Sequence, residues 1–331
     1  MNISIKQQII AKHLGQDIIE YQLISANGFQ VNFLNYGGII SGIYTPDSQG
    51  KLDNVVLSRT EFDPENPGHW GATTGRIAGR IASAKFELEG QIYQLNDNKL
   101  GNNLHGGPGG IDKQIWHVTL LADGAELSHF SPDGAARFPA NVHFKVRYQI
   151  TQDNRLTISY SATCDRTTII NLTNHSYFDL SAGKNAMAME LEVPATHFGE
   201  IDATGCVTGK LSSVSGTPFD FRKSKPLGQD IFANHPQLEL ANQGYDHPFV
   251  LDNTQAIRLS DPLSGRTLEI TTDEPCCVVY SANFTTPKHI AVCLETQRMP
   301  NAINWPEFRE SVIFSPDKPY HSQTHWQFGV K

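Results

Sequence analysis

Along much of this chain apolar and polar residues alternate with a period of two. Phe144, Val146, Tyr148 and Ile150 interleave with Lys145, Arg147 and Gln149; after the turn sequence TQDN, Leu156, Ile158, Tyr160 and Ala162 resume the alternation. Successive strand residues point to opposite faces, so the pattern predicts a hairpin with one buried and one wet face. FELEGQIYQL reads as two short strands about a turn at Gly90, and Met187, Met189, Leu191 and Val193 repeat the period. Turn-forming runs such as TPDSQG, SPDG, DPLSGR and SPDKP separate these segments. No helical period is sustained beyond a few turns, the exceptions being short candidates for a helix such as residues 222–232. Many short strands joined by turns predict an all-β fold, a large single-domain antiparallel β-sandwich spanning residues 1–331.

One segment departs from the alternation. Residues 171–180, NLTNHSYFDL, crowd Asn171, Asn174, His175, Ser176 and Asp179 among only four residues suited to a core. Composition narrows what such a cluster could serve. With 39% hydrophobic and 18% charged residues the chain is globular rather than disordered. A net charge of −8 disfavours nucleic acid or an anionic membrane as partner. There is no run of eighteen apolar residues to span a bilayer, and the N-terminal stretch lacks the features of a secretory signal, so the cytoplasm is the expected location. The five cysteines show no CxxC spacing and read as free thiols, not a zinc or redox site. Asn-x-Ser/Thr triplets at Asn2, Asn171, Asn174 and Asn283 read as chance.

Five polar clusters stand out: GRIAGRI (75–81), NNLHGG (102–107), NLTNHSYFDL (171–180), GYDHPFVL (244–251) and CLETQRMPNAIN (293–304). Each taken singly has a structural explanation, such as a turn histidine or a paired carboxylate. His105, His175, His247, Asp246 and Glu295 contain the donors for a metal site, but without H-x-H or H-E-x-x-H spacing. A serine hydrolase lacks its G-x-S-x-G elbow.

In order and local sequence the five clusters together resemble the aldose 1-epimerase (galactose mutarotase) family. That pattern runs G-R-x-A-N-R-I, N-x-L-H-G-G, N-L-T-N-H-x-Y-F-N-L, a D-H segment and E-T-Q-x-x-P-D-A-x-N. The matches extend from NYGGII (35–40) to about residue 327. The resemblance implies the galactose mutarotase-like supersandwich and an isomerase interconverting the α and β anomers of a free hexose, galactose or glucose first. It implies neither cofactor nor metal, no membrane or nucleic-acid partner, and a monomer or homodimer. It also implies roles: Glu295 as base at the anomeric hydroxyl, His175 as acid at the ring oxygen, His105 as a second imidazole nearby, and Arg80 and Asp246 as hydroxyl contacts. Arg76, four residues before Arg80, is the alternative pocket arginine, and His105 has the alternative task of bracing the Gly106–Gly107 turn. His247 and Asn174 read as supporting residues. Trp70, Tyr177, Tyr245 and Phe284 are candidate stacking faces, with core packing as the simpler account of each.

The sequence departs from the pattern at Gly79, Asp179, Val278 and Asn301, which bears on hydroxyl recognition rather than on the acid and base. Two other functions stay open. A sugar-phosphate epimerase of the same fold would need extra cations, for which Arg76, Lys113 and Arg298 are the nearest to the clusters. A carbohydrate-binding protein would need no acid–base pair.

Overall fold

The computed structural model describes residues 3–252 and 254–331. Its architecture is all-β and antiparallel, built on three large sheets. The nine-stranded sheet runs from His117–Leu121 through Gly124–Ser131, Val142–Ile150, Arg155–Cys164, Tyr320–Val330, Arg266–Thr272, Ile257–Ser260 and Glu190–Glu192 to Lys225–Pro226. A seven-stranded sheet orders Val207–Ser213, Ala195–Ile201, Asp246–Leu251, Cys276–Tyr280, Val292–Gln297, Tyr177–Phe178 and Val56–Leu57. The N-terminal strands from Ser4–His13 to Leu52–Asn54 form a five-stranded meander.

The alternation read from the sequence decides which face is buried. Val142–Ile150 pairs with Arg155–Cys164 in unbroken register, Val146 opposite Tyr160. Phe144, Val146, Tyr148, Leu156 and Ile158 point into the principal core, which also takes Val31 and Phe33 from the meander and Phe249, Val279 and Leu294 from the seven-stranded sheet. Residues of this kind each contribute about 1.5–3 kcal/mol on full burial. The predicted hairpin about Gly90 also forms, Lys85–Leu88 against Gln91–Gln94.

Residues 222–232 do not form the expected helix. Pro226 and Gly228 interrupt any helical ladder, and the neighbouring N–H groups bond elsewhere: Leu227 donates to the Met189 carbonyl and Gly228 to that of Met187, both at 2.9 Å. Lys225–Pro226 becomes the outermost strand of the nine-stranded sheet. Among the described residues the α-helix is a single short one, Pro236–Leu240, capped by the His235 side chain. The 187–193 alternation yields a strand only over Glu190–Glu192, after a 3-10 turn at Ala186–Ala188. No helix of the described residues is long and apolar enough to cross a membrane. Asn171, Asn174 and Asn283 are buried, which bars glycan attachment to the folded chain; Asn2 lies outside the described residues. All five cysteines are free thiols, four of them buried and Cys164 half-buried.

Candidate active site

The seven-stranded sheet has two working faces. Leu294 and Val279 point into the core, so the alternate residues Cys293, Glu295 and Gln297, with Val278 and Tyr280 on the next strand, point the other way. Register brings them together: Val278 lies opposite Glu295, and Tyr280 opposite both Cys293 and Asp246. This face forms the floor of a cavity of about 190 Å³ lined also by Arg80, His105, His175, Tyr177, His69, Lys99 and Phe284.

The opposite wall comes from short ladders. Thr173–Asn174 pairs with Thr73–Thr74, and His175 is pinned from both sides, its N–H donating to Ala72 O (2.9 Å) and its carbonyl accepting from Gly71 N (3.0 Å). Asn174 supports the same corner, donating to Gly71 O and accepting from Ser176 N. Arg80–Ile81 pairs with Asn103–Leu104, so the GRIAGRI and NNLHGG clusters meet as one element. His105 N–H donates to Gly79 O (3.0 Å), and Gly79 N–H donates to His105 Nδ1 (3.2 Å). With Nδ1 accepting, a neutral His105 carries its proton on Nε2. The Gly106 that follows has φ +85°, and a Cβ there would lie 2.0 Å from Gly75 O, so the turn requires glycine.

The five residues expected from the sequence, Glu295, His175, Arg80, His105 and Asp246, all line this one cavity. His175 Nε2 lies 3.7 Å from Glu295 Oε1, both side chains almost wholly buried. Cys293 Sγ is 3.6 Å from His175 Nδ1, which leaves Nε2 for the cavity. Gln297 Nε2 faces Glu295 Oε2 at 3.5 Å. Arg80 reaches Asp246 Oδ2 with both terminal nitrogens at 3.5 Å. Those bonds are long for a charge-assisted pair, so both groups keep bonding capacity for hydroxyls.

Burial sets the protonation states. It pushes the Glu295 carboxyl up to about 8, helped by the nearby Asp246 charge and opposed by Arg80 and Gln297. Burial, with the His69 charge added, pushes His175 down to about 3. His105 is driven well down by burial and by His69, His175 and Arg80. Asp246 is raised by burial against the pull of Arg80. Between the Glu295 and His175 values the pair holds one proton, and burial favours its place on Glu295.

A profile of the family described as aldose 1-epimerase matches residues 20–327. The chain belongs to the aldose 1-epimerase family. It is 34% identical to the galactose mutarotase of Bos taurus over 336 residues, 96% of each chain. It is 33% identical to the aldose 1-epimerase of Haemophilus influenzae, over 93% of this chain and 96% of the relative. The solved galactose 1-epimerase of Lactobacillus acidophilus superposes with a TM-score of 0.88 at 28% identity, covering 99% of both chains.

Within that family's pattern the departures sort by place. Gly79 and Val278 line the cavity; Gly79 has φ +73°, which asparagine, the residue of the pattern, can adopt, but a Cβ there would lie 2.8 Å from Pro300 Cβ, so asparagine would require Pro300 to shift. Asp179 and Asn301 do not line it. Asp179 accepts from the N–H groups of Ser181 and Gly183 to close a turn, and Asn301 accepts from Ala82 N and donates to Val207 O.

Arg76 is not the pocket arginine: it is fully buried, its guanidinium donating to the carbonyls of Ser131, Pro132, Pro139 and Ala140. Arg298 is bound to Glu274 and Ser311 O, and Lys113 to Glu65, so neither faces the cavity. The cation there that the sequence did not single out is Lys99. Tyr245 is core, but Phe284 is half exposed at the cavity rim, contrary to its simpler reading, and Trp70 stacks on the cavity residue Tyr177 at 4.0 Å. His247 is turned away; its Nδ1 accepts from Asp246 N and its Nε2 bonds Gln237 Oε1. The five-residue metal set therefore does not assemble, although His105, His175 and Glu295 present ligand atoms within 4.8 Å of one another.

Sequence reasoning missed three further cavity residues, Gln297, Tyr280 and His69. Gln297 was within reach, since it follows Glu295 by two residues and a strand puts both on one face. His69 sits in an irregular loop, and no periodicity marks it.

Proposed function

We propose that the chain interconverts the α and β anomers of free hexoses, with Glu295 and His175 as its acid–base pair. Glu295 takes the proton of the anomeric hydroxyl, the bond between C1 and the ring oxygen breaks, and its electron pair stays on the ring oxygen. His175 Nε2 supplies that oxygen with a proton. The product is the open aldehyde, with Glu295 protonated and His175 neutral. Rotation about C1–C2 and the reverse transfers close the ring on the other face, so atoms and charge balance without an added reactant. Asp246 and Arg80 hold ring hydroxyls, and His105 Nε2–H donates beside the ring oxygen. The observation that carries this reading is the separation of 3.7 Å between a buried carboxyl and a buried imidazole in one cavity. Five free thiols suit a reducing compartment, in keeping with work in the cytoplasm.

Polarimetry on freshly dissolved α-D-galactose tests it. The rotation should relax to equilibrium far faster with the protein than in buffer alone. A protein that binds galactose yet leaves the spontaneous rate unchanged would reduce the chain to a sugar-binding protein.

A further inference from the structure

The reaction as drawn leaves one buried imidazole of the cavity without a task. His69 Nδ1 bonds Asp112 Oδ2 at 2.8 Å, and Asp112 is completely buried. The other carboxylate oxygen, Oδ1, is buried with no partner. A carboxylate is costly to bury for packing alone, and its partner ring lines the cavity. The backbone on both sides is fixed: His69 N–H donates to Asn66 O, its carbonyl accepts from Ala72 N, and Trp116 Nε1 donates to Ile111 O beside Asp112. With Nδ1 engaged, His69 Nε2 makes no hydrogen bond among the described residues and is the nitrogen left for a ligand.

Position says which part of a ligand it meets. The His69 ring centroid is 4.6 Å from that of His105 and 6.0 Å from that of His175. His69 therefore stands beside His105 and His175, the two imidazoles assigned to the ring oxygen, while Asp246 is paired with Arg80. A pyranose with its anomeric hydroxyl at Glu295 and its ring oxygen at His175 has C2 toward Asp246. Its C5 substituent lies past the ring oxygen, toward His69. We infer that His69, clamped by Asp112, is a specificity-determining residue that binds the exocyclic hydroxymethyl group of a hexose. This rests on the anomer-interconverting reading of the cavity.

The test compares D-glucose with D-xylose, which lacks that group, and with 2-deoxy-D-glucose, which keeps it. His69→Asn retains a donor for Asp112 but is too short to reach the cavity. It should lower kcat/KM on glucose by roughly tenfold, the loss of one net hydrogen bond, and lower it equally on 2-deoxyglucose. Xylose should be almost unaffected. Asp112→Asn should give the same pattern, weaker, and His69→Gln, with a longer donor, should recover part of the hexose preference. If His69→Asn fails to fold, as judged by its thermal melt, the latter two carry the same comparison. An equal loss on glucose and xylose would mean that His69 only props the loop, and no loss on glucose would mean that it does not touch the sugar; either overturns the inference. Wild-type protein inactive on all three sugars refutes the proposed function itself and this inference with it.

Discussion

Replacing Glu295 by glutamine keeps size and hydrogen bonding, removes the base, and relieves a cost that the structure makes calculable. The carboxyl is raised from 4.5 to about 8, mainly by burial. Its native value lies above its unfolded one, so between those two pH values the native state holds a proton that the unfolded state has released. The contribution to stability is complete below 4.5, is lost as pH rises towards 8, and stays lost above it. At about 1.4 kcal/mol per pH unit the full span is worth about 5 kcal/mol at most. A chain of this length has an unfolding entropy of about 0.7 kcal/mol per kelvin, so the ceiling corresponds to about 7 °C in Tm. Glutamine does not titrate and escapes this loss.

The expected outcome has two arms. The Tm of Glu295→Gln relative to wild type should improve by roughly 3–6 °C between pH 5 and pH 9, on the same scale. Comparing the two proteins at two pH values cancels whatever fixed cost the amide carries. Turnover should fall by about 100-fold or more, the range for loss of a general base, with little change in sugar affinity. A Tm difference that stays flat with pH would refute the raised carboxyl, and wild-type turnover in the variant would refute its role as base.

Three further outcomes follow from the same cavity. Because the pair keeps one proton between about 3 and about 8, kcat/KM should show a bell with its accessible limb alkaline, falling as pH rises through about 8 when Glu295 loses that proton; a rate still rising past pH 9 would contradict the assignment. EDTA should leave the rate unchanged, whereas loss of activity restored by a divalent ion would make His105, His175 and Glu295 metal ligands. Glucose should be turned over much faster than glucose 6-phosphate, since Arg80 faces Asp246 and Arg76 and Arg298 are spent elsewhere; a preference for the phosphate would move the chain to the sugar-phosphate reading and make Lys99 the residue to mutate.

What could be read in advance depended on the range over which the cause acts. Strand alternation is local, so the 142–164 hairpin and the buried face of its strands were legible from residue type alone. The approach of His175 to Glu295 was not, because it spans 120 positions and is fixed by ladders between Thr173–Asn174 and Thr73–Thr74 on one side and Val292–Gln297 and Cys276–Tyr280 on the other. Only the resemblance placed those two together. The expected helix at 222–232 failed where Pro226 and Gly228 stood in plain view, their effect outweighed by a short apolar period. Arg76 and Arg80 share type and neighbourhood, and a sequence cannot tell which one finds backbone carbonyls to bind. His69 was silent for a different reason: its partner Asp112 is 43 residues away in another loop.

An anomer-interconverting enzyme works in both directions, and this puts a condition on its acid and base that a one-way hydrolase escapes. In the proposed reaction, opening the ring requires Glu295 ionised and His175 protonated, and closing it requires the reverse. Neither arrangement can be favoured so far that the other becomes inaccessible. In water a single proton shared by a carboxyl and an imidazole would sit on the imidazole, since their ordinary values differ by about two units in that direction. Burial in the cavity penalises both charges together, lifting Glu295 and lowering His175, and so stabilises the neutral arrangement that follows ring opening. The attraction of the two charges at 3.7 Å, with hydroxyls of a bound sugar to solvate them, works for the other. The same desolvation that costs the fold stability at high pH thus carries the preference past balance, from the charged arrangement to the neutral one, and the bound sugar has to offset it for catalysis in both directions.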